Sequence, residues 1–113
     1  MEKTKLKILV VDRNLKQGEH PVTDIFSAYK HRGFDMVIFP YREDKQTTEI
    51  VILNTNLKDP YDWQKLLSAE VNDGPGFYDC DLDGVTEDVL YEILEGEFEI
   101  ETETLTSAEK RYV

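Results

Sequence analysis

The sequence has little of what small proteins use to cross-link themselves or to enter a membrane. Its 113 residues include one cysteine, Cys80, so no disulfide can form within the chain. No apolar run approaches the roughly 18 residues of a membrane span. The apolar stretch in the basic start MEKTKLKILVV is too short for a signal peptide. We therefore expect a cytoplasmic protein that does not associate with membranes.

Groups suited to catalysis are also scarce. The two histidines, His20 and His31, have no Cys or Asp at the spacing of a zinc site. The carboxylates that flank Cys80 disfavour its thiolate. The six glycines are scattered and form no phosphate-binding loop. We therefore expect no enzymatic activity and no cofactor.

Positive charge is scarce in one half of the chain. The formal net charge is −11: residues 1–58 hold 10 Lys/Arg and 8 Asp/Glu, whereas residues 59–113 hold 3 and 16. Residues 79–103 contain 11 acidic residues and no basic one. This deficit of cations disfavours direct binding of nucleic acid, because Lys and Arg supply most of the attraction to phosphates.

The apolar pattern predicts a single α+β domain over residues 1–113, with 40% hydrophobic residues available for a core. Strands are predicted at 5–11, 34–41, 47–54 and 97–103, and helices at 21–32, from Pro60 to the NDGPGF segment, and at 86–94. This β-α-β-β-α-(α)-β order matches a ferredoxin-like plait with an antiparallel sheet, although a different α+β arrangement of the same elements remains open. Residues 104–113 show no pattern and are expected to fray.

The two central strands, FDMVIFPY and TTEIVILN, are predicted to form an antiparallel hairpin with two apolar faces. One face would pack on the helices. The other needs a cover, which the C-terminal region, a second copy of the chain or a partner would provide. A homodimer is therefore one possible arrangement.

The stretch GFYDCDLDGVTED contains the first half of a calcium-binding loop. Asp79, Asp81, Asp83 and Gly84 match the first part of the EF-hand pattern. The bidentate glutamate that closes such a loop is replaced by Leu90. The three aspartates are therefore only a weak metal candidate, and we interpret the stretch as an acidic turn before a helix.

Acidic side chains are predicted to form one continuous surface. In EFEIETET the glutamates alternate with apolar residues, which places them on one face of a strand. The helix and the turn before it add further acids and a tyrosine. The predicted partner-binding residues are Asp79, Asp81, Asp83, Glu87, Asp88, Tyr91, Glu92, Glu95, Glu97, Glu99, Glu101 and Glu103.

Two explanations of this surface are open. In the first, a row of fixed carboxylates occupies a site that normally binds phosphates through Lys and Arg. In the second, the acids serve solubility and keep an edge strand from aggregating. In size and charge the chain resembles phage anti-restriction and anti-CRISPR proteins and the immunity proteins of nuclease toxins.

The resemblance and the charge lead to one expected function and one alternative. We expect a small acidic inhibitor that binds a basic nucleic-acid-binding protein, such as a nuclease or a restriction or CRISPR-type effector, in place of nucleic acid. The alternative is a non-catalytic regulatory or structural subunit that dimerises through the open face of its sheet.

Overall fold

The computed structural model describes residues 3–11, 29–42, 46–74 and 76–105, and these residues form one mixed six-stranded sheet with helices on both faces. The class is therefore α+β, as predicted. The strands are β1 (Thr4–Val11), β2 (Met36–Arg42), β3 (Thr47–Ile52), β4 (Asn72–Asp73), β5 (Tyr78–Asp83) and β6 (Phe98–Leu105). The helices are α1 (Pro60–Leu67) and α2 (Glu87–Glu95), and residues 29–31 are also helical.

The strand order is β4-β5-β3-β2-β1-β6. β1 runs parallel to both β2 and β6, whereas β3 is antiparallel to β2 and to β5. The predicted antiparallel sheet is therefore wrong, and the ferredoxin-like plait is not confirmed. In a split βαβ unit a strand lies between β1 and β2, but here the two pair directly.

The predicted central hairpin is confirmed. β2 and β3 pair antiparallel from Met36 opposite Ile52 to Ile38 opposite Ile50. The register shifts between Phe39 and Arg42, at an irregularity near the turn. The hairpin is rich in β-branched residues, whose side chains pack well on the pleated surface of a sheet.

α1 begins where the sequence predicts. The side chain of Asp59 accepts a hydrogen bond from the backbone N–H of Asp62 at 2.8 Å, and Pro60 occupies the first helical position. The helix ends at Leu67, before Ser68 in the left-handed conformation. It is shorter than predicted, because the left-handed backbone of Ser68 ends it four residues before Asn72, where β4 begins and pairs with β5.

α2 also lies where a helix was predicted, but one apolar residue of this helix is more exposed than predicted. Leu90 and Leu94 are buried, and Ile93 is half-buried against the core. The apolar residues of the sequence predict that Val89, Leu90, Ile93 and Leu94 all face inward, but Val89 is 45% exposed. The apolar stripe that packs on the sheet therefore follows Leu90 and Leu94, and Val89 lies outside it.

Parts of two predictions fall outside the described residues. The helix expected at 21–32 is seen only in residues 29–31, which end before Gly33 with φ of +94°. Residues 106–113 are likewise not described, and β6 extends through two residues, Thr104 and Leu105, that were expected to fray. In the part of the chain that the structure describes, no helix has the length and apolar character to span a membrane.

Hydrophobic residues form a core on each face of the sheet. On the first face, here called the helix face, α1 and α2 pack on the sheet through Trp63, Leu67, Leu90 and Leu94. On the opposite face, here called the second face, a smaller cluster contains Leu9, Val11, Tyr29, Phe34, Val37, Val51 and Leu53. Both faces of the hairpin are thus buried within one chain. The described residues therefore show no open apolar face of the hairpin that would need the C-terminal region, a second copy or a partner as a cover.

Candidate interaction surface

The stretch predicted as an acidic turn is the strand β5, which lies between β4 and β3. Cys80 and Leu82 point into the helix-face core, and the aspartates alternate with them toward the second face. This strand was missed because the three aspartates resembled a metal loop. Its signal was the alternation of Tyr78, Cys80 and Leu82, which is typical of a half-buried strand.

The extended backbone of β5 does not suit an EF-hand. Alternate side chains of a strand leave the backbone about 6.6 Å apart, whereas calcium gathers oxygens within about 2.6 Å of itself from a tightly curved loop. Asp79 accepts a hydrogen bond from the Asn72 side chain at 2.9 Å, and Asp83 accepts one from the Thr47 hydroxyl at 2.8 Å. Among the described residues, no group of three or more His, Cys, Asp or Glu side chains is placed to hold a metal ion.

Cys80 is a buried free thiol. Its pKa is raised from 9.0 to about 12, first by burial and then by the charges of Asp81, Asp79 and Asp83. Its thiolate is therefore scarce at neutral pH. This environment fits a packing residue and does not fit a nucleophile.

α2 presents a stripe of exposed acids on the side away from the sheet. Asp88, Glu92 and Glu95 are exposed and occupy positions i, i+4 and i+7, which lie on one side of a helix. We call these three residues the α2 stripe. Its like charges are not balanced within the helix, which has no basic residue in its last turn. Instead, the Lys3 ammonium donates to the Glu95 carbonyl at 2.6 Å and so satisfies one of the last carbonyls.

Two other predicted site residues of α2 are partly buried. Tyr91 packs against the helix-face core. Its pKa is raised above 10.0, first by burial and then by the charges of Glu87 and Asp88. Glu87, in the first turn, is also partly buried.

β6 is the edge strand beside β1 and exposes a row of glutamates on the second face. Glu99, Glu101 and Glu103 are all exposed, and we call them the β6 row. Phe98 and Ile100 point to the other side, into the helix-face core. The predicted alternation of this strand is therefore confirmed.

Glu97 lies just before β6 and has a different environment. Its carboxylate forms a salt bridge with Lys58, with 2.6 Å between Nζ and Oε2. The same ammonium lies 5.7 Å from the centroid of the Phe98 ring. Glu97 is thus paired within the chain and lies apart from the row that follows it.

Two lysines of β1 lie beside the β6 row and were not part of the predicted site. In the parallel register Lys5 is opposite Glu99, Lys7 is opposite Glu101, and Leu9 is opposite Glu103. The Lys7 ammonium lies 4.6 Å from the centroid of the Phe34 ring. The alternation of KLKILVV places both lysines on one face, but the sequence does not tell which strand lies next to them.

The predicted acids form three groups instead of one continuous surface. The aspartates of β5 and the β6 row share the second face, but β3, β2 and β1 lie between them. Four strand spacings of about 4.8 Å put the two groups about 19 Å apart. The α2 stripe belongs to the helix that packs on the other face of the sheet.

Comparisons with protein families, with curated proteins and with solved structures gave no match to this chain.

Proposed function

We propose that this protein binds a basic nucleic-acid-binding protein and inhibits it by occupying the site that normally receives nucleic acid. A nuclease or a restriction or CRISPR-type effector is the expected kind of target. The observation on which the proposal depends is the β6 row, three exposed carboxylates at regular spacing on an exposed edge strand. We place this activity in the cytoplasm, where the free thiol of Cys80 would stay reduced.

The spacing of the β6 row supports this proposal. Successive carboxylates start about 6.6 Å apart along an extended strand, so the row presents negative charges at a regular interval, as a nucleic-acid backbone does. Sites that bind phosphates do so with Lys and Arg, which also donate charge-assisted hydrogen bonds to carboxylates. Glu103, opposite the apolar Leu9, has no cation beside it on β1.

The other acidic groups have secondary roles in the proposal. The α2 stripe belongs to the helix that packs beside β6, so a partner that encloses this edge meets acids on both sides of it. The β5 aspartates face a different part of the surface. With a net charge of −11, all of them add to the long-range field that raises the rate of encounter with a basic protein.

The burial of the second face bears on the alternative function. A subunit that dimerises through an open sheet face needs exposed apolar residues there, but Val37 and Val51 are 0% and 2% exposed. We therefore do not propose dimerisation through this face. Solubility and protection of the edge strand are the competing explanation of the glutamates. Substitution of the glutamates separates this explanation from partner binding.

The test compares two variants that each remove three acids. The first is Glu99→Gln, Glu101→Gln and Glu103→Gln in the β6 row, and the second is Asp88→Asn, Glu92→Gln and Glu95→Gln in the α2 stripe. Each is used to capture partners from a lysate at low and high salt, and the captured protein is then assayed for its nucleic-acid activity with and without the acidic protein.

We expect the unaltered protein to capture a basic nucleic-acid-binding protein at low salt, to release it at high salt, and to inhibit it. The β6 variant should bind at least about tenfold more weakly, which corresponds to about 1.4 kcal/mol, while the α2 variant loses less. Equal losses of affinity in the two variants would show that the partner is attracted by net charge alone and not by the β6 row. A β6 variant that aggregates but binds as before would support the solubility explanation.

A further inference from the structure

The outer edge of β6 is a long and regular strand edge, and we propose that it receives an extended basic segment of the partner as an added strand. This inference rests on the proposed function for the charge of the partner. It adds the way in which the partner is recognised: backbone pairing along the edge, with Lys or Arg at alternate positions opposite the β6 row.

The two edges of the sheet differ in a way that singles out β6. β4, at the other edge, has 2 residues, and so short an edge offers little to pair with. β6 has 8 residues and contains no proline. All eight pair with β1 in an unbroken register from Thr4 opposite Phe98 to Val11 opposite Leu105, without a bulge. Alternate residues of such a strand direct their N–H and C=O groups away from β1, and no second strand of the described residues pairs with them.

The side chains of β6 determine which residue types fit in an added strand. On the second face a new strand would lie beside Glu99, Glu101 and Glu103, so Lys or Arg at alternate positions would face carboxylates. On the helix face it would lie beside the exposed residues Thr102 and Thr104, which pair well with small or β-branched residues. An extended segment with alternating basic and β-branched residues therefore fits this edge.

A second copy of this chain does not fit the same edge. A two-fold antiparallel pairing of two β6 strands keeps the second faces of both copies on one side, so the glutamates of one row would face those of the other. Like charges opposite each other on neighbouring strands are destabilising. The charge of the β6 row thus disfavours pairing with a second copy and favours pairing with a basic strand. Repulsion of the wrong partner contributes to specificity as much as attraction of the right one.

A synthetic peptide of alternating lysine and threonine tests this inference without any natural partner. We use an eight-residue peptide and two methylated derivatives of it. One derivative carries a methyl group on the backbone nitrogen of every lysine, and its isomer carries one on the backbone nitrogen of every threonine. In a paired strand the outward N–H groups belong to alternate residues, so one methylated isomer should bind like the parent and the other at least about tenfold more weakly, or about 1.4 kcal/mol. Amide hydrogen exchange of β6 should slow at alternate residues when the parent peptide binds.

The outcomes separate this inference from the proposed function. Binding of all three peptides with equal affinity, or binding without protection of β6 amides, would show contact by charge alone and would overturn the strand pairing. Failure of the parent peptide to bind would overturn it as well. If the peptide pairs but no nucleic-acid-binding protein is inhibited, the edge site stands and the proposed function fails. If a captured partner depends on the β6 row but leaves the β6 amides unprotected, the function stands and the strand pairing fails.

Discussion

The indole of Trp63 and the phenyl ring of Phe98 stack, with their centroids 5.8 Å apart and their planes inclined by 21°. Trp63 belongs to α1 and Phe98 begins β6, so this contact joins the helix layer to the strand at the edge of the sheet. Both side chains are buried. The position of the β6 row therefore depends on an aromatic pair on the opposite side of the same strand.

Phe98→Ala is expected to lower the free energy of unfolding by about 3 to 5 kcal/mol, because it removes a buried ring and leaves a cavity beside the indole. Urea denaturation followed by circular dichroism measures the change. Tyr61→Ala is the control, since Tyr61 is 61% exposed, and it should change stability by no more than about 0.5 kcal/mol. Similar losses for the two variants would show that the stacked pair does not anchor β6.

The N-cap residues of the two helices, Asp59 and Thr86, allow a matched pair of variants. Asp59 caps α1 through its side chain, whereas Thr86 occupies the same position of α2 and makes no side-chain cap bond. Asp59→Ala should cost about 1 kcal/mol, and Thr86→Ala should cost clearly less. Thermal and urea denaturation of both variants decide the matter. Equal losses would mean that the capping bond of Asp59 contributes nothing of its own.

Local signals predicted the elements whose structure depends on near neighbours. Alternation predicted β1 and β6, and the Asp59-Pro60 pair predicted the start of α1. The pairing of β1 with β6 joins distant parts of the chain and has no local signal, so the position of Lys5 and Lys7 beside the β6 row was not predictable. β5 had a local signal in its alternating Cys80 and Leu82, but the spacing of its aspartates suggested a loop.

Alkaline pH should destabilise the protein in part through Cys80. Its pKa is raised from 9.0 to about 12, so the folded state favours the neutral thiol. The stabilisation is fully present below pH 9.0 and is lost as the pH rises from 9.0 toward about 12. Urea denaturation of the unaltered protein and of Cys80→Ala across this range should show a shallower decline for the variant. Some decline should persist in Cys80→Ala, because the pKa of Tyr91 is also raised. Parallel curves would contradict the assignment to Cys80.

Repulsion within the α2 stripe should cost stability that one substitution recovers. Asp88 and Glu92 are i,i+4 like charges on an exposed helix side. Glu92→Lys replaces this repulsion by an attractive pair and places a cation toward the C-terminal end of the helix. It should therefore raise the free energy of unfolding by about 0.5 to 1 kcal/mol at low ionic strength.

Two further measurements check the electrostatic origin of that gain. In about 1 M salt the gain should largely disappear, because exposed charges are then screened over about 3 Å. Glu92→Gln removes the repulsion without adding a cation and should gain about half as much. A gain that is independent of salt would point to helix propensity instead of charge.

The parallel pairing of β1 with β6 also bears on how the chain folds. Thr4 pairs with Phe98, so one of the inner strands of the sheet acquires its second neighbour from a segment 94 positions further along the chain (98 − 4). Contacts between such distant segments are slow to form, because the entropy of closing so long a loop is lost before the contacts stabilise it. During synthesis β1 can pair with β2 long before β6 leaves the ribosome, and until then Leu6 and Ile8 lie beside an open strand edge. The strand with the β6 row is therefore expected to be the last to join the sheet, and its arrival covers the open edge of β1 with an acidic strand.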